Sequence, residues 1–239
     1  MKQRSTPITH HTVPVVTIDG PSGSGKGTIG QLLAKQLGWH FLDSGAMYRI
    51  AGLAATLKGV DLSQDASVAE VARAMRVQFV PAGPGEPVRV VLDGHDVGDE
   101  LRTEEGGRRA SLVAALPGVR EALLEKQRAF RQAPGLVADG RDMGTTVFPD
   151  AILKIYLTAS AELRAERRYK QLKEKGFDAN LPRLLDEIRE RDQRDAERTA
   201  SPLKPAPDAS ILDSSPLSIS EVVDRIAALL QTRRADCSW

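Results

Sequence analysis

The sequence is poor in the residues that build disulfides and metal centres. Its 239 residues include one cysteine, Cys237, and four histidines. An internal disulfide and a cysteine-rich metal site are therefore excluded. The histidines have no ligand spacing beyond the adjacent His10 and His11, which we interpret as part of a flexible N-terminal tail, residues 1–12. This composition fits a reducing compartment.

Long apolar runs and a strong charge of one sign are also missing. No apolar run approaches the ~20 residues that a membrane span needs, and residues 1–12 lack the apolar core of a signal peptide. The formal net charge is +1, so no global field attracts nucleic acid or a membrane surface. We therefore expect a cytoplasmic protein with neither as a partner. Its length allows one large core with insertions, or two domains.

A glycine-rich stretch, residues 20–28, stands between an apolar run and a segment with helical apolar spacing. It consists of Gly20, Pro21, Ser22, Gly23, Ser24, Gly25, Lys26, Gly27 and Thr28. Strand, glycine-rich loop, lysine, hydroxyl and helix are the order of a phosphate-binding P-loop. Gly27 occupies the slot where Ser or Thr is usual, and the hydroxyl comes one residue later. The alternative is a glycine-rich turn, which the strand and helix context disfavours.

Short apolar strands alternate with helical patterns along the rest of the chain, which predicts an α/β fold with a doubly wound, parallel, five-stranded sheet and helices on both faces. The expected strands are 13–19, 40–43, 135–139, 152–157 and 210–213, and Ser44 is a plausible N-cap for the second helix. Between them, 76–80, 88–92 and 95–97 predict a small antiparallel sheet around a hairpin loop, 81–87. The pair Gly106 and Gly107 weakens the next helix by about 1 kcal/mol per glycine.

The chemistry-bearing residues follow the carboxyl ends of the expected strands, where ligands of such sheets bind. A Ras-type GTPase recognises guanine through an Asn-Lys-x-Asp element. The only asparagine, Asn180, is followed by Leu181, so this class is excluded. A motor ATPase would be expected to place a catalytic glutamate beside its Mg²⁺-binding aspartate. Asp139 is followed by Gly140, which weakens the interpretation as a motor ATPase without excluding it. A small-molecule kinase needs a second anion site, for which Arg49, Arg141, Arg191 and Arg198 are candidates. The alternative for the 191–198 helix face is a solvated charge ladder.

Five stretches resemble the bacterial cytidylate kinase family: 18–28, 42–49, 138–145, 187–195 and 212–213. The resemblance implies an ATP-dependent CMP and dCMP kinase of pyrimidine nucleotide metabolism that uses Mg²⁺ and acts as a monomer. It implies a core (13–72, 113–159 and 179–239), an inserted monophosphate-binding subdomain (73–112) and a short helical lid (160–178). Gly106, Gly107 and Arg108 depart from the family, which favours helix formers there.

The resemblance also implies a role for each site residue. Ser44, Ser111, Arg120 and Asp142 contact the base, Arg191 and Asp195 the sugar, and Arg49, Arg141 and Arg198 the monophosphate. Asp142 suits the exocyclic amine of cytosine and Arg120 its acceptor edge. Lys26 and the loop amides hold the ATP phosphates, with Thr28 and Asp139 at Mg²⁺. The catalytic set is Lys26, Arg141, Arg164, Arg167 and Arg168, the last three on the lid.

Three alternatives remain open. The lid arginines could belong to a solvated helix face with Glu162 and Glu166. The chain could phosphorylate UMP or another small metabolite within the same fold. It could also be a nucleotide-binding regulatory or nucleic-acid-associated module without kinase turnover, against which the near-neutral charge and the second arginine site argue.

Overall fold

The computed structural model describes residues 13–80, 89–174, 176 and 178–236, and their strands form two separate sheets. In chain order the strands are β1 (Val15–Asp19), β2 (His40–Asp43), β3 (Val77–Val80), β4 (Arg89–Leu92), β5 (His95–Asp96), β6 (Leu136–Gly140), β7 (Leu153–Thr158) and β8 (Ser210–Asp213). The expected tail 1–12 and hairpin loop 81–87 lie outside the described residues.

The main sheet has five parallel strands in the order β2-β6-β1-β7-β8, which confirms the predicted sheet. Strands β1 and β6 are buried along their whole length, as expected for a parallel sheet covered on both faces. The register pairs Asp19 with Gly140 and Asp43 with Asp139. These carboxylates therefore lie together at the carboxyl edge of the sheet.

Helices cover both faces of this sheet. They are α1 (Lys26–Leu37), α2 (Ser44–Leu57), α3 (Asp65–Ala74), α4 (Gly98–Leu101), α5 (Glu104–Val113), α6 (Pro117–Arg128), α7 (Ala161–Glu174), α8 (Leu181–Glu197) and α9 (Ile219–Asp236). Helices α1 and α9 bury Leu33 and Ile226 against Val16 on one face. Helices α2, α3, α5 and α6 form a second apolar cluster around Val15 on the other. Within the described residues, no helix has the length and apolar character needed to cross a bilayer.

The second sheet is antiparallel, with the order β3-β4-β5, as the sequence predicted. It is anchored to the cluster on the α2 face through Leu92, Val97 and Leu101. Helix α5 then continues through Gly106 and Gly107 without a break. Its first turn is capped by Thr103, whose hydroxyl accepts a hydrogen bond from the Gly106 amide at 3.0 Å.

Three local features differ from the sequence-based expectation. The N-cap of α2 is Asp43, whose carboxylate accepts a hydrogen bond from the Ala46 amide at 3.0 Å, so the prediction of Ser44 as the cap is wrong. Ser44 is instead the first helical residue, and its hydroxyl is used elsewhere. Helix α4 and a π-helical turn, Met143–Val147, were not expected, because elements of four or five residues carry no readable periodicity.

Candidate functional site

The glycine-rich loop wraps around the end of β1 and leads directly into α1. A Cβ on Gly20 would lie 2.2 Å from the Leu157 carbonyl oxygen, so only glycine allows this approach to β7. A Cβ on Gly27 would lie 3.2 Å from Asp139 Oδ2, so a larger residue would crowd that carboxylate. The absence of Ser or Thr at position 27 is therefore compatible with a P-loop whose neighbour is an aspartate.

Lys26 and Asp139 form a buried, weakly paired couple beside this loop. Lys26 Nζ lies 3.8 Å from Asp139 Oδ1 and donates a hydrogen bond to the Pro21 carbonyl oxygen at 3.3 Å. Burial, with Arg141 nearby, lowers the pKa of Lys26 to about 8, and burial raises the pKa of Asp139 to about 7. At this distance neither charge fully balances the other. A bound phosphate would balance the charge of Lys26, and a bound cation would balance that of Asp139.

The donor set beside the loop fits Mg²⁺ bound to a nucleotide. Asp139 offers a carboxylate, and Thr28 offers an exposed hydroxyl in the first turn of α1. Among the described residues, no cluster of three or more His, Cys, Asp or Glu side chains stands ready for a metal ion. Mg²⁺ is typically bound through one or two protein groups together with substrate phosphates and water, so two protein ligands suffice here.

On the other side of the crevice, the predicted acceptor residues line one small cavity of about 50 Å³. Its lining includes the predicted residues Ser44, Ser111, Arg141, Asp142, Arg191, Asp195 and Arg198. Arg120 joins them through an ion pair with Asp142, in which both side chains are buried. Sequence positions from 44 to 198 thus meet at one place. The space they enclose is smaller than the ~300 Å³ of ordinary ligand pockets.

Two acid–base pairs organise this cavity. Arg120 pairs with Asp142 and also donates to the Ala114 carbonyl oxygen at 3.1 Å. Arg141 Nε donates to Asp195 Oδ2 at 2.8 Å. Burial opposes the charge of Arg141, but the adjacent Asp195 outweighs it and raises the pKa of the guanidinium. Both pairs would present charged, oriented groups to a ligand.

Three buried polar atoms around the cavity have no hydrogen-bond partner within the described part of the chain: Ser111 Oγ, Arg191 Nε and Arg198 Nη2. Arg198 Nη2 has only a long ion-pair contact, 3.9 Å, with Asp142 Oδ1. Unpaired buried polar atoms are costly, each by about 1–3 kcal/mol. A polar ligand in the cavity would supply the missing partners.

Two of the four arginines that the sequence offered as candidates for an anion site extend the site into a larger cavity. Arg49 and Arg191 line a cavity of about 950 Å³ that reaches Ser22 and Gly23 of the P-loop. A Cβ on Gly107 would lie 3.5 Å from Arg49 Nη2 and 3.6 Å from Arg191 Nη1, so the two guanidinium groups lie side by side. Burial, followed by the charge of Arg141, lowers the pKa of Arg191 to about 10. Such crowded positive charge favours an anion.

The three arginines of α7 have different partners. Arg164 is buried and donates to the Ser22 carbonyl oxygen and to Asp192 Oδ1, both at 3.0 Å. Arg167 donates to the Ser214 carbonyl oxygen at 3.0 Å and, at 3.5 Å, to that of Ser24. Arg168 pairs with Glu104 of α5 at the large cavity. None of the three belongs to an unpartnered solvated face: two hold the P-loop backbone and one spans the crevice.

Four residues with structural roles at the site were not assigned a role from the sequence. The Asp19 carboxylate accepts hydrogen bonds from the Met143 and Gly144 amides, both at 2.8 Å, and so fixes the turn after Asp142. Asp192 pairs with Arg164, Glu104 with Arg168, and Gln127 with Ser44. Their partners lie 28 to 125 positions away in the chain, beyond the reach of local pattern.

Comparison with known proteins gives a consistent result. The family model described as "Cytidylate kinase" matches residues 16–232. The cytidylate kinase of Pseudomonas entomophila (strain L48) is 59% identical over 220 residues, 92% of this chain and 96% of that protein. The cytidylate kinase of Stutzerimonas stutzeri (strain A1501) is 60% identical over 221 residues, again 92% and 96%.

The solved structures that the chain matches are more distant in sequence. A gluconokinase from Sinorhizobium meliloti 1021 has a TM-score of 0.48 and 15% identity, covering 95% of this chain and 97% of that one. Shikimate kinase from Acinetobacter baumannii in complex with shikimate has a TM-score of 0.46 and 16% identity, covering 93% and 96%.

Proposed function

The chain belongs to the cytidylate kinase family, and we propose that it transfers the γ-phosphoryl group of ATP to CMP or dCMP, giving ADP and CDP or dCDP. The observation that carries the acceptor assignment is the cavity lined by Ser44, Asp142 and Asp195, with unpartnered polar atoms on Ser111, Arg191 and Arg198. It combines acceptors and donors for a base and a sugar with an adjoining group of arginines for a phosphate.

The chemistry follows from positioning and charge. An oxygen of the CMP phosphate attacks the γ-phosphorus in line, and the bond from that phosphorus to the β–γ bridging oxygen breaks. Lys26 and the loop amides hold the donor phosphates, while Arg49, Arg141 and Arg198 hold the acceptor phosphate and offset the charge that develops. No covalent intermediate with the protein is needed.

The base and sugar are recognised by the two buried pairs. Asp142 accepts from the exocyclic amine of cytosine, with Ser44 beside it, and Arg120 and Ser111 serve the acceptor edge. Arg191 and Asp195 contact the sugar, where the carboxylate of Asp195 accepts from a ribose hydroxyl. The ion pairs with Arg120 and Arg141 support these roles because they hold both carboxylates in fixed positions beside the cavity.

Mg²⁺ would be held by Thr28 and Asp139 together with the ATP phosphates, and it would neutralise charge on the transferring group. The expected result is that EDTA abolishes turnover and that added Mg²⁺ restores it. Asp139→Asn should raise the Mg²⁺ concentration needed for half-maximal rate, whereas Asp150→Asn on the surface should not. An unchanged Mg²⁺ dependence of Asp139→Asn would contradict this assignment.

The chain would work as a core with two moving parts, the insert 73–112 and the lid 160–178. The small volume of the acceptor cavity supports this, because the cavity must widen to admit CMP, as it would if the insert moved away from α8. On the lid, Arg164 and Arg167 would keep their contacts with the P-loop, and Arg168 would approach the transferring phosphoryl group. Closure of the lid would exclude water from that group. Small-angle scattering with and without CMP should show compaction on binding.

A coupled assay with CMP, dCMP, UMP and AMP as acceptors tests the function. We expect CMP and dCMP to be preferred, and a strong preference for UMP or AMP would contradict the cytosine assignment. The absence of turnover with all four would favour a binding module instead.

We further propose a monomer that works in the cytoplasm on small molecules, without a nucleic-acid or membrane partner. Light scattering with and without ATP and CMP measures the molar mass, which we expect to be that of a single chain in both conditions.

A further inference from the structure

Behind the acceptor cavity lies a buried amide that the reaction itself does not use. Gln127, near the end of α6, is 1% exposed, and its Oε1 accepts a hydrogen bond from the Ser44 hydroxyl at 3.1 Å. Ser44 is 2% exposed and lines the acceptor cavity, whereas Gln127 does not line it. Gln127 therefore acts on whatever occupies the cavity only through its neighbours.

The hydrogen bond with Ser44 places the side-chain oxygen of Gln127 against that hydroxyl, so the amide NH₂ faces the other way. Tyr48 agrees with this orientation. Burial raises the pKa of its phenol, and Gln127 works in the opposite direction, as an NH₂ group near the phenol oxygen would.

This orientation determines the hydrogen-bond character of Ser44. A serine hydroxyl has one proton to donate and two lone pairs that accept. Because the proton is given to Gln127, Ser44 Oγ presents only lone pairs to the cavity. At the corresponding edge cytosine carries an amine that donates, whereas uracil carries a carbonyl oxygen that accepts. An acceptor-only Ser44 is complementary to the first base and repels the second.

The same network reaches the ion pair beside the base. The Arg120 guanidinium lies over the Tyr48 ring, 5.6 Å from its centroid, and pairs with Asp142. A cation above an aromatic face is attracted by the ring quadrupole, so Tyr48 helps to hold Arg120. Gln127, Tyr48 and Arg120 form a continuous set behind the two predicted acceptors, Ser44 and Asp142.

We propose that Gln127 is a positioning residue that holds Ser44 as a hydrogen-bond acceptor and thereby selects cytosine over uracil nucleotides. This inference rests on the proposed function, since it assumes that Ser44 faces the base. It adds a determinant that touches no substrate atom. Discrimination between the two bases then depends on the proton of the Ser44 hydroxyl, fixed from behind, as well as on Asp142.

The test compares kcat/KM for CMP and for UMP in two variants of matched size. Gln127→Met removes the acceptor and lets the Ser44 hydroxyl turn and donate to uracil, so the CMP/UMP ratio should fall at least about tenfold, with the KM for ATP changed less than about twofold. Gln127→Glu keeps an acceptor oxygen toward Ser44, either as a carboxylate or as an acid whose O–H takes the place of the amide NH₂, so its ratio should remain within about twofold of wild type.

A background variant isolates the route through Ser44. Ser44→Ala should itself lower the ratio, and adding Gln127→Met to Ser44→Ala should lower it no further, because the two changes break the same contact. An equal drop in both backgrounds would overturn the proposal. So would Gln127→Met if it lowered kcat/KM for CMP and UMP together at an unchanged ratio, which is what a purely structural role produces.

Two further outcomes are decisive. Thermal unfolding shows whether Gln127→Met is folded, and if it is not, the Gln127→Glu and Ser44→Ala variants decide. Loss of discrimination in Gln127→Glu, or its retention in Ser44→Ala, would overturn the proposal. A wild-type protein without activity on CMP would contradict the proposed function itself. A CMP kinase whose base preference ignores Gln127 would contradict only this inference.

Discussion

The guanidinium of Arg168, on α7, pairs with the carboxylate of Glu104, in the first turn of α5. This contact joins α7 to α5 across the larger cavity, close to Arg49. Both partners are partly exposed, with side-chain exposures of 31% and 57%, so the pair adds less than about 1 kcal/mol to stability. Glu104 therefore occupies, at little energetic gain, a place where a phosphate would meet the same arginines.

Glu104→Gln should bind the acceptor more tightly. Removing a negative charge from the arginine group reduces repulsion of the incoming phosphate, so the KM for CMP should fall about two- to fivefold, more at low ionic strength. The matched control is Glu105→Gln, because Glu105 pairs with Arg108 on the outer side of α5. A higher KM in Glu104→Gln would show instead that the carboxylate is needed to position Arg168.

Asp142→Asn should damage the use of CMP far more than the binding of ATP. The neutral amide loses the charged acceptor for the cytosine amine and leaves Arg120 without its buried partner. We expect kcat/KM for CMP to fall at least about a hundredfold, with the KM for ATP within about threefold. Asp150→Asn, which removes a half-exposed partner of Arg131, serves as the control. Unchanged CMP kinetics would remove Asp142 from the base site.

Asp195→Asn should separate the two sugars. Burial opposes ionisation of Asp195, but the charge of Arg141 outweighs it and lowers the pKa of the carboxylate, so the group is an ionised acceptor at neutral pH. Loss of that acceptor should reduce kcat/KM for CMP more than for dCMP, because dCMP lacks one ribose hydroxyl. Freeing Arg141 affects both substrates alike, so the ratio isolates the sugar contact. Equal, undiminished activity on both would contradict the role.

The stability of the ligand-free protein should depend on pH through Asp19. Burial raises the pKa of this carboxyl from 3.8 to about 6, although the amides of Gly144 and Met143 oppose the change. Its contribution is thus fully present below pH 3.8 and is lost as the pH rises through about 6. Relative to Asp19→Asn, wild type should lose up to about 3 kcal/mol of unfolding free energy across that window. Urea unfolding measured at several pH values checks this, and a constant difference would contradict it.

The two adjacent glycines of α5 should respond in opposite ways to alanine. A Cβ on Gly106 would lie 2.8 Å from the Glu100 carbonyl oxygen and 2.9 Å from that of Leu101, so Gly106→Ala should destabilise the protein by about 1–3 kcal/mol. A Cβ on Gly107 meets only the ends of Arg49 and Arg191 at ordinary distances, so Gly107→Ala should stabilise it by about 0.5–1 kcal/mol. Chemical denaturation measures both, and effects of the same sign would contradict this account of the pair.

Much of the fold could be predicted from local pattern. The apolar runs placed the five parallel strands within one or two residues. The central strands β1 and β6 are the easiest of these to predict, because strands buried on both faces are continuous apolar runs. The N-cap of α2 could not be decided this way. Asp43 and Ser44 are both good capping residues. Asp43 caps the helix because its carboxylate accepts from the Ala46 amide, whereas the Ser44 hydroxyl donates to Gln127, which is distant in sequence.

The sequence by itself determined the P-loop, the order of strands and helices along the chain, and the family resemblance, because these depend on spacing between near neighbours. Only the tertiary structure decided which charges meet. Arg120 with Asp142, Arg141 with Asp195, and Arg168 with Glu104 are pairs formed between different elements. The orientation of Ser44 by Gln127 is of the same kind. A charge or hydroxyl has no partner until packing supplies one, and the partner sets the direction in which the group points.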